Sequence, residues 1–196
     1  MRLPVIKLFF VFTIGLVSLS QSPDVFATQE PDDELANILR ETVNDAPSFV
    51  DRFDAQVWLL DMSNRLDRYI KDPKDRVELL KLVHAEARRA GLEPELVMSV
   101  IHVESAFNQF AISVVGAQGL MQVMPFWKNE IGRPDDNLMN VATNLRYGCT
   151  ILKHYLDREK GNLTRALARY NGSLGRTKYP EKVLLFWERY WFVKHV

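Results

Sequence analysis

Residues 96–125, LVMSVIHVESAFNQFAISVVGAQGLMQVMP, constrain this chain more than any other stretch. The first part reads as a helix, with Pro94 at a first-turn position behind the break at Gly91. Val97, Val100, Ile101, Glu104 and Phe107 recur at spacings of three and four, which puts them on one helical face. That face is apolar except at Glu104. A carboxylate in register with a buried stripe is costly unless it is paired, protonated or used. Glu104 is therefore either a structural group held by an arginine or a backbone donor, or a working acid. Residues 107–118 are too polar and irregular to continue the helix, and they lead to Gly116 and Gly119, where close backbone approaches become possible. Helix is expected to restart at Gly119-Leu120-Met121-Gln122 and to break at Pro125-Phe126-Trp127. An acid at a helix end, facing a glycine-bearing loop and a new helix start, is how a cleft is built.

The 196 residues, 47% of them hydrophobic, suffice for one globular domain with a sizeable core. The first residues are expected to stand outside it. Arg2 and Lys7 precede an uncharged run over residues 8–19, and Val25-Phe26-Ala27 offers small residues at a cleavage site. The run fits a signal-peptide core and is short for a bilayer span, so residues 1–27 read as a signal peptide and the chain as exported to the periplasm or cell envelope. An uncleaved membrane anchor is the alternative. No cysteine lies near the cleavage site for lipid attachment. The only cysteine, Cys149, cannot form an internal disulfide and sits in a helical pattern as a small buried hydrophobe.

Downstream the periodicity is helical throughout. Short helices are expected over residues 33–44 and 163–170 and a longer one over 50–70, the last with a fading stripe of Phe53, Val57, Leu60, Asn64 and Asp67. Trp58 and Tyr69 would cover the core or line a groove. Pro73 opens a helix with Val77, Leu80, Leu82, Val83 and Ala87 on its face, closed by Gly91. Asn140 is a plausible N-cap for a helix reaching about Lys160, where Gly148 within the pattern suggests close packing. Tyr179-Pro180 opens a terminal helix carrying Val183, Leu184, Phe186, Trp187, Tyr190 and Phe192. Sustained strand alternation is absent. The fold class is all-α, divided into residues 28–75, an N-terminal helical segment, and 76–196, the main domain.

Glu104-Ser105, Ser113, Gly116-Ala117-Gln118-Gly119-Leu120-Met121-Gln122 and Met124-Pro125 resemble the lytic transglycosylase signature of the lysozyme superfamily. Asn144, Gly148, Tyr155-Leu156 and Tyr170-Asn171 resemble its later motifs. The resemblance covers roughly residues 79–185 and implies a lysozyme-like catalytic domain. It implies cleavage of the N-acetylmuramic acid to N-acetylglucosamine bond of peptidoglycan, non-hydrolytically, leaving a 1,6-anhydro sugar. One Glu, here Glu104, would act as acid and then as base. Ser113, Gln122 and Asn171 would bind the sugars, Met121 and Met124 would pack against the glycan or the core, and Tyr170 would place its hydroxyl near Glu104. No metal or cofactor is implied, and the four histidines are scattered, with His102 turned elsewhere on the helix from Glu104.

A hydrolase resembling goose-type lysozyme, in which water replaces the sugar 6-hydroxyl, and a silent glycan-binding module are the competing readings. Hydrolysis needs a second carboxylate to position water, and none accompanies Glu104 in the motif stretch. Departures from the family pattern fall at Arg169, Gly172-Ser173 and Phe126-Trp127, beside the matched residues. Charge is uneven: residues 28–75 carry 12 acidic and 6 basic side chains, and residues 158–196 carry 9 basic and 3 acidic. Either these ends face each other, or the basic end favours the anionic peptides of cell-wall glycan. Nucleic-acid binding is poorly supported by a chain of zero net charge.

Overall fold

The computed structural model describes residues 33–43 and 46–193, so the expected signal peptide over residues 1–27 lies outside the described residues. Among the described residues eight α-helices follow in order: α1 (Asp33–Val43), α2 (Arg52–Leu66), α3 (Pro73–Ala90), α4 (Pro94–Ser105), α5 (Trp127–Ile131), α6 (Val141–Arg158), α7 (Leu163–Tyr170) and α8 (Lys178–Phe186). A π-helical turn, Trp187–Trp191, continues α8. Among the described residues extended pairing is limited to two isolated bridges, Ile112 with Gln118 and Gln118 with Val123. The all-α expectation is borne out.

Local chemistry explains the helix starts. Asp51, Asp72, Asn140 and Asn162 each sit in extended backbone and accept hydrogen bonds from first-turn amides of α2, α3, α6 and α7. Pro73 and Pro94 occupy first-turn positions, where the missing N–H costs nothing. The axis of the fold is α4. Leu96, Val97, Met98, Val100 and Ile101 are all buried, and a helix that is apolar on every side must be surrounded. It packs against α3, α8 and the π turn, while α6 packs on α3 and α7. The buried cluster is continuous from Leu35 and Leu39 of α1 to Trp191, so the first two helices share the core of the rest.

Three expectations need correction. The stripe through Phe53 and Val57 is not the buried face of α2: both side chains are exposed, and Ala55, Trp58, Leu59, Met62 and Leu66 face inward instead. The helix is amphipathic on a face rotated by one to two residues, because Trp58 is anchored by donating from its indole to Glu95 over 2.6 Å. In the terminal helix the deeply buried aromatic is Trp191, brought inward by the π turn, while Phe192 is exposed. Residues 119–122 do not restart a helix. They form a tight turn between the bridged residues Gln118 and Val123, and helix resumes only at Trp127.

That turn is held from behind. A Cβ on Gly119 would stand 2.4 Å from Asn144 Nδ2, and one on Gly148 would stand 2.3 Å from Met121 Sδ, so both positions exclude any side chain. The buried Asn144 accepts from the Met121 amide at 2.8 Å and donates to the carbonyls of Gln118 and Leu138 at 2.8 and 2.9 Å. One side chain thereby ties the turn to α6.

Candidate active site

Glu104 stands in the last turn of α4, where the chain reverses through Ala106 and Phe107, at φ of 48° and 65°. Two successive non-glycine residues in the left-handed region are a strained ending, held by the buried ring of Phe107 and an Ala106 amide bond to His102 O. Ser105 donates to Leu120 O at 2.8 Å and fastens this end to the turn at residues 119–122, acting as a local structural hydroxyl. The Glu104 carboxylate opens toward the link between α7 and α8 and the start of α8. It lines a cavity of about 390 Å³ with Val103, Asn171, Ser173, Arg176, Lys178, Tyr179 and Lys182. Among the described residues Glu104 is the one carboxylate in that wall.

Tyr179, from the first turn of α8, donates to Glu104 Oε1 at 2.6 Å. Burial pushes the Glu104 carboxyl up to about 7, against the pull of the Tyr179 hydroxyl and the charge of Lys182. No Arg or Lys contacts the carboxylate directly among the described residues. The carboxyl is thus half-protonated near neutrality, the condition a general acid needs. Tyr170 is a neighbour rather than a partner: burial and the Glu104 charge raise its hydroxyl well above the usual tyrosine range, yet that hydroxyl donates to Met121 O at 2.7 Å. The two tyrosines divide the work, one on the acid and one on the turn beside it.

The Transglycosylase SLT domain family matches residues 81–183, just over half of the chain. The chain belongs to this family. It is 36% identical over 101 residues to a membrane-bound lytic murein transglycosylase C of Actinobacillus pleuropneumoniae serotype 5b (strain L20), a match covering 47% of this chain and 28% of that protein. It is 35% identical over 109 residues to the transglycosylase of Enterobacteria phage PRD1, covering 52% of this chain and 40% of that one. The chain thus spans well under half the length of these relatives. Among solved structures, the 70 kDa soluble lytic transglycosylase from Escherichia coli aligns at 23% identity and a TM-score of 0.46, over 80% of this chain and 26% of that one. The lytic transglycosylase Slt of Pseudomonas aeruginosa aligns at 23% and 0.45, over 74% and 31%.

Within this SLT domain the residues expected to bind sugar fall into two groups. Asn171 shares the cavity wall with Glu104, while Tyr170, close enough to feel the Glu104 charge, donates to the Met121 carbonyl. The Met121 side chain, however, is fully buried against Gly148, so it packs the core and offers a glycan no surface. Gln122, at φ 49°, donates from Nε2 to Ala111 O and Gly119 O at 3.1 and 2.9 Å, which turns its Oε1 away from those two carbonyls. Ser113 caps the loop at residues 113–117 by accepting from the Ala117 amide at 3.0 Å, and Met124 is half-buried after Val123. Neither Ser113, Gln122 nor Met124 lines the Glu104 cavity.

Tyr179 was missed in the sequence because its partner lies 75 residues earlier and Pro180 marked only a helix start. His102 is enclosed by Tyr69, Phe107, Phe186, Tyr190 and Trp191. The Trp191 indole donates to His102 Nδ1 at 3.2 Å, so Nε2 carries the proton and donates to Tyr69 Oη at 2.5 Å. Burial first, then Arg68 and Lys182, lower this imidazole to about 4, and it stays neutral as packing. Cys149 is fully buried, its thiol pushed up to about 12 by burial. Arg169 pairs, with Arg165, to Glu159 rather than to the cleft.

Proposed function

We propose that the chain carries a peptidoglycan lytic transglycosylase activity, cutting the bond from N-acetylmuramic acid to N-acetylglucosamine in the cell envelope. Glu104 gives its proton to the glycosidic oxygen as the bond breaks and positive charge grows on the ring carbon. The substrate N-acetyl group assists at that carbon. The muramic 6-hydroxyl then attacks it, and the ionised Glu104 takes the hydroxyl proton. Tyr179 holds the carboxylate in both steps, and Tyr170 keeps the turn carrying Met121 and Gln122 in place. Asn171 binds at the cavity wall, with Ser113, Gln122 and Met124 as outer sugar contacts.

The observation that carries this reading is a carboxyl raised to about 7 in a wall that holds no second carboxylate. Capture by water would need a positioned base, whereas the 6-hydroxyl is already attached to the ring and gains the proximity advantage of an intramolecular step, on the order of 7–11 kcal/mol for well-oriented groups. Digestion of purified peptidoglycan tests it. Muropeptides one water lighter than hydrolysis products, and unchanged by borohydride, are expected. Reducible ends at full hydrolytic mass would make the domain a hydrolase of the lysozyme type.

A further inference from the structure

The glycan backbone of the proposed substrate is uncharged where its sugars are N-acetylated, yet the wall around Glu104 is strongly cationic. Arg176, Lys178 and Lys182 line the same cavity of about 390 Å³, and all three are exposed. Among the described residues no carboxylate supplies an ion pair to them. Of the described basic residues after Gly161, Arg165 and Arg169 share the Glu159 carboxylate, whereas Arg176, Lys178 and Lys182 make no ion pair among the described residues. The acidic N-terminal helices do not supply it either, since no described basic residue of 158–193 pairs with an acid of residues 33–75. The two ends do meet, where Arg65 of α2 donates to the carbonyls of Tyr190 and Phe192, but they do so without ion pairs among the described residues.

The cations are also positioned rather than trailing. The link from α7 to α8 is a folded turn, with the Ser173 amide bonded to Ala168 O at 2.7 Å and the Arg176 amide to Ser173 O at 2.9 Å. Lys178 and Lys182 lie one turn apart on α8, and the ammonium of Lys182 lies 5.6 Å from the centre of the Phe186 ring. Asn171 and Ser173 add neutral polar groups beside them. A wall of three unpaired cations with polar neighbours recruits an anion, and it does so in proportion to the number of charges it can meet.

We propose that Arg176, Lys178 and Lys182 form a recognition wall for the carboxylates of the peptide carried on the muramic acid, so that this domain selects peptide-bearing over uncharged glycan. The inference rests on the glycan reading of the same cavity. It also bears on the acid. Tyr179, Tyr170 and Lys182 face Glu104, from α7 and α8, and Lys182 is the charged one among them. An anion seated on Lys182 cancels the field that favours ionised Glu104, so the substrate's own peptide helps Glu104 keep the proton it must donate.

Binding by the Glu104→Gln protein separates this from turnover. Its pelleting with native sacculi is compared with pelleting on sacculi whose peptide carboxylates have been converted to methylamides. Binding should weaken about tenfold on the blocked material, as three exposed charge pairs of a few tenths to 1 kcal/mol each would give. A variant that also carries Arg176→Gln, Lys178→Gln and Lys182→Gln should bind both materials equally and as weakly as the parent binds the blocked one. A control with Lys71→Gln, Lys74→Gln and Arg158→Gln makes the same charge change elsewhere and should keep the preference. Equal binding of native and blocked sacculi by the Glu104→Gln protein, or a control that loses as much as the cleft variant, overturns the proposal. Loss of cleavage in the wild type with the binding preference intact would instead count against the transglycosylase reading alone.

Discussion

Glu86 and Glu104 are both carboxylates drawn under the surface of this fold, and they end in opposite states. Glu86, on α3, is 8% exposed. Burial alone would raise it, but hydrogen bonds from Arg146 at 2.6 and 2.7 Å and from Arg89 at 2.6 Å outweigh that and hold it below the ordinary range. It is a permanent anion clamping α3 to α6. Glu104 receives one neutral hydroxyl instead, and burial wins. Burial makes charge expensive in both places, and the partner decides whether the group keeps its charge or its proton. A fold that needed only a strut would place arginines at both.

The largest break in the comparison is chemical. Glu104→Gln should lower peptidoglycan cleavage about 10³-fold, within the usual worth of a general acid and base, while Glu86→Gln should leave it within a few-fold. Turbidity clearing of sacculi reads both. A Glu104→Gln protein that clears sacculi at the wild-type rate removes the proposed mechanism.

Stability should separate the pair with opposite signs. Glu104 binds its proton more tightly in the folded state, so its contribution to stability is whole below pH 4.5 and is lost as pH rises through about 7. That shift corresponds to about 3 kcal/mol, so Glu104→Gln should be the more stable protein at pH 8 by up to that amount, with the gap closing toward pH 4.5. Glu86 runs the other way. Its folded carboxyl is depressed, so its stabilisation is present above the ordinary glutamate pKa and fades on acidification through the lower folded one. Because Arg146 and Arg89 remain partly solvated, Glu86→Gln should cost about 1–2 kcal/mol at neutral pH. Urea titrations at pH 4.5 and pH 8 measure all four cases.

The smallest effect sharpens the role of Tyr179. Its hydroxyl favours the ionised acid, so Tyr179→Phe should raise the Glu104 pKa and carry the upper limb of the cleavage pH profile to higher pH, by less than about one unit. Rate falls at the optimum because the carboxylate loses its orienting donor. An unchanged upper limb would mean that the hydroxyl does not act on the titrating group.

The chain order and local chemistry determined a good deal alone. The helical period, the cap at Asn140, the close-packed Gly148 and the anomalous Glu104 on an apolar stripe are all features of neighbouring residues, and short-range sterics and hydrogen bonds settle such features before the chain folds up. The face of α2 was not legible, because Phe53 and Trp58 are both apolar and only a buried Glu95 on another helix selects between them. Nor was the turn at residues 119–122, whose helix-like pattern yields to Asn144, the buried side chain that binds it on α6. What only the tertiary structure decided is the ionisation of the acid. A glutamate four residues along an apolar stripe says that burial is coming, but not whether Arg146 or Tyr179 will be waiting. That depends on which helix, tens of residues away, packs against its end.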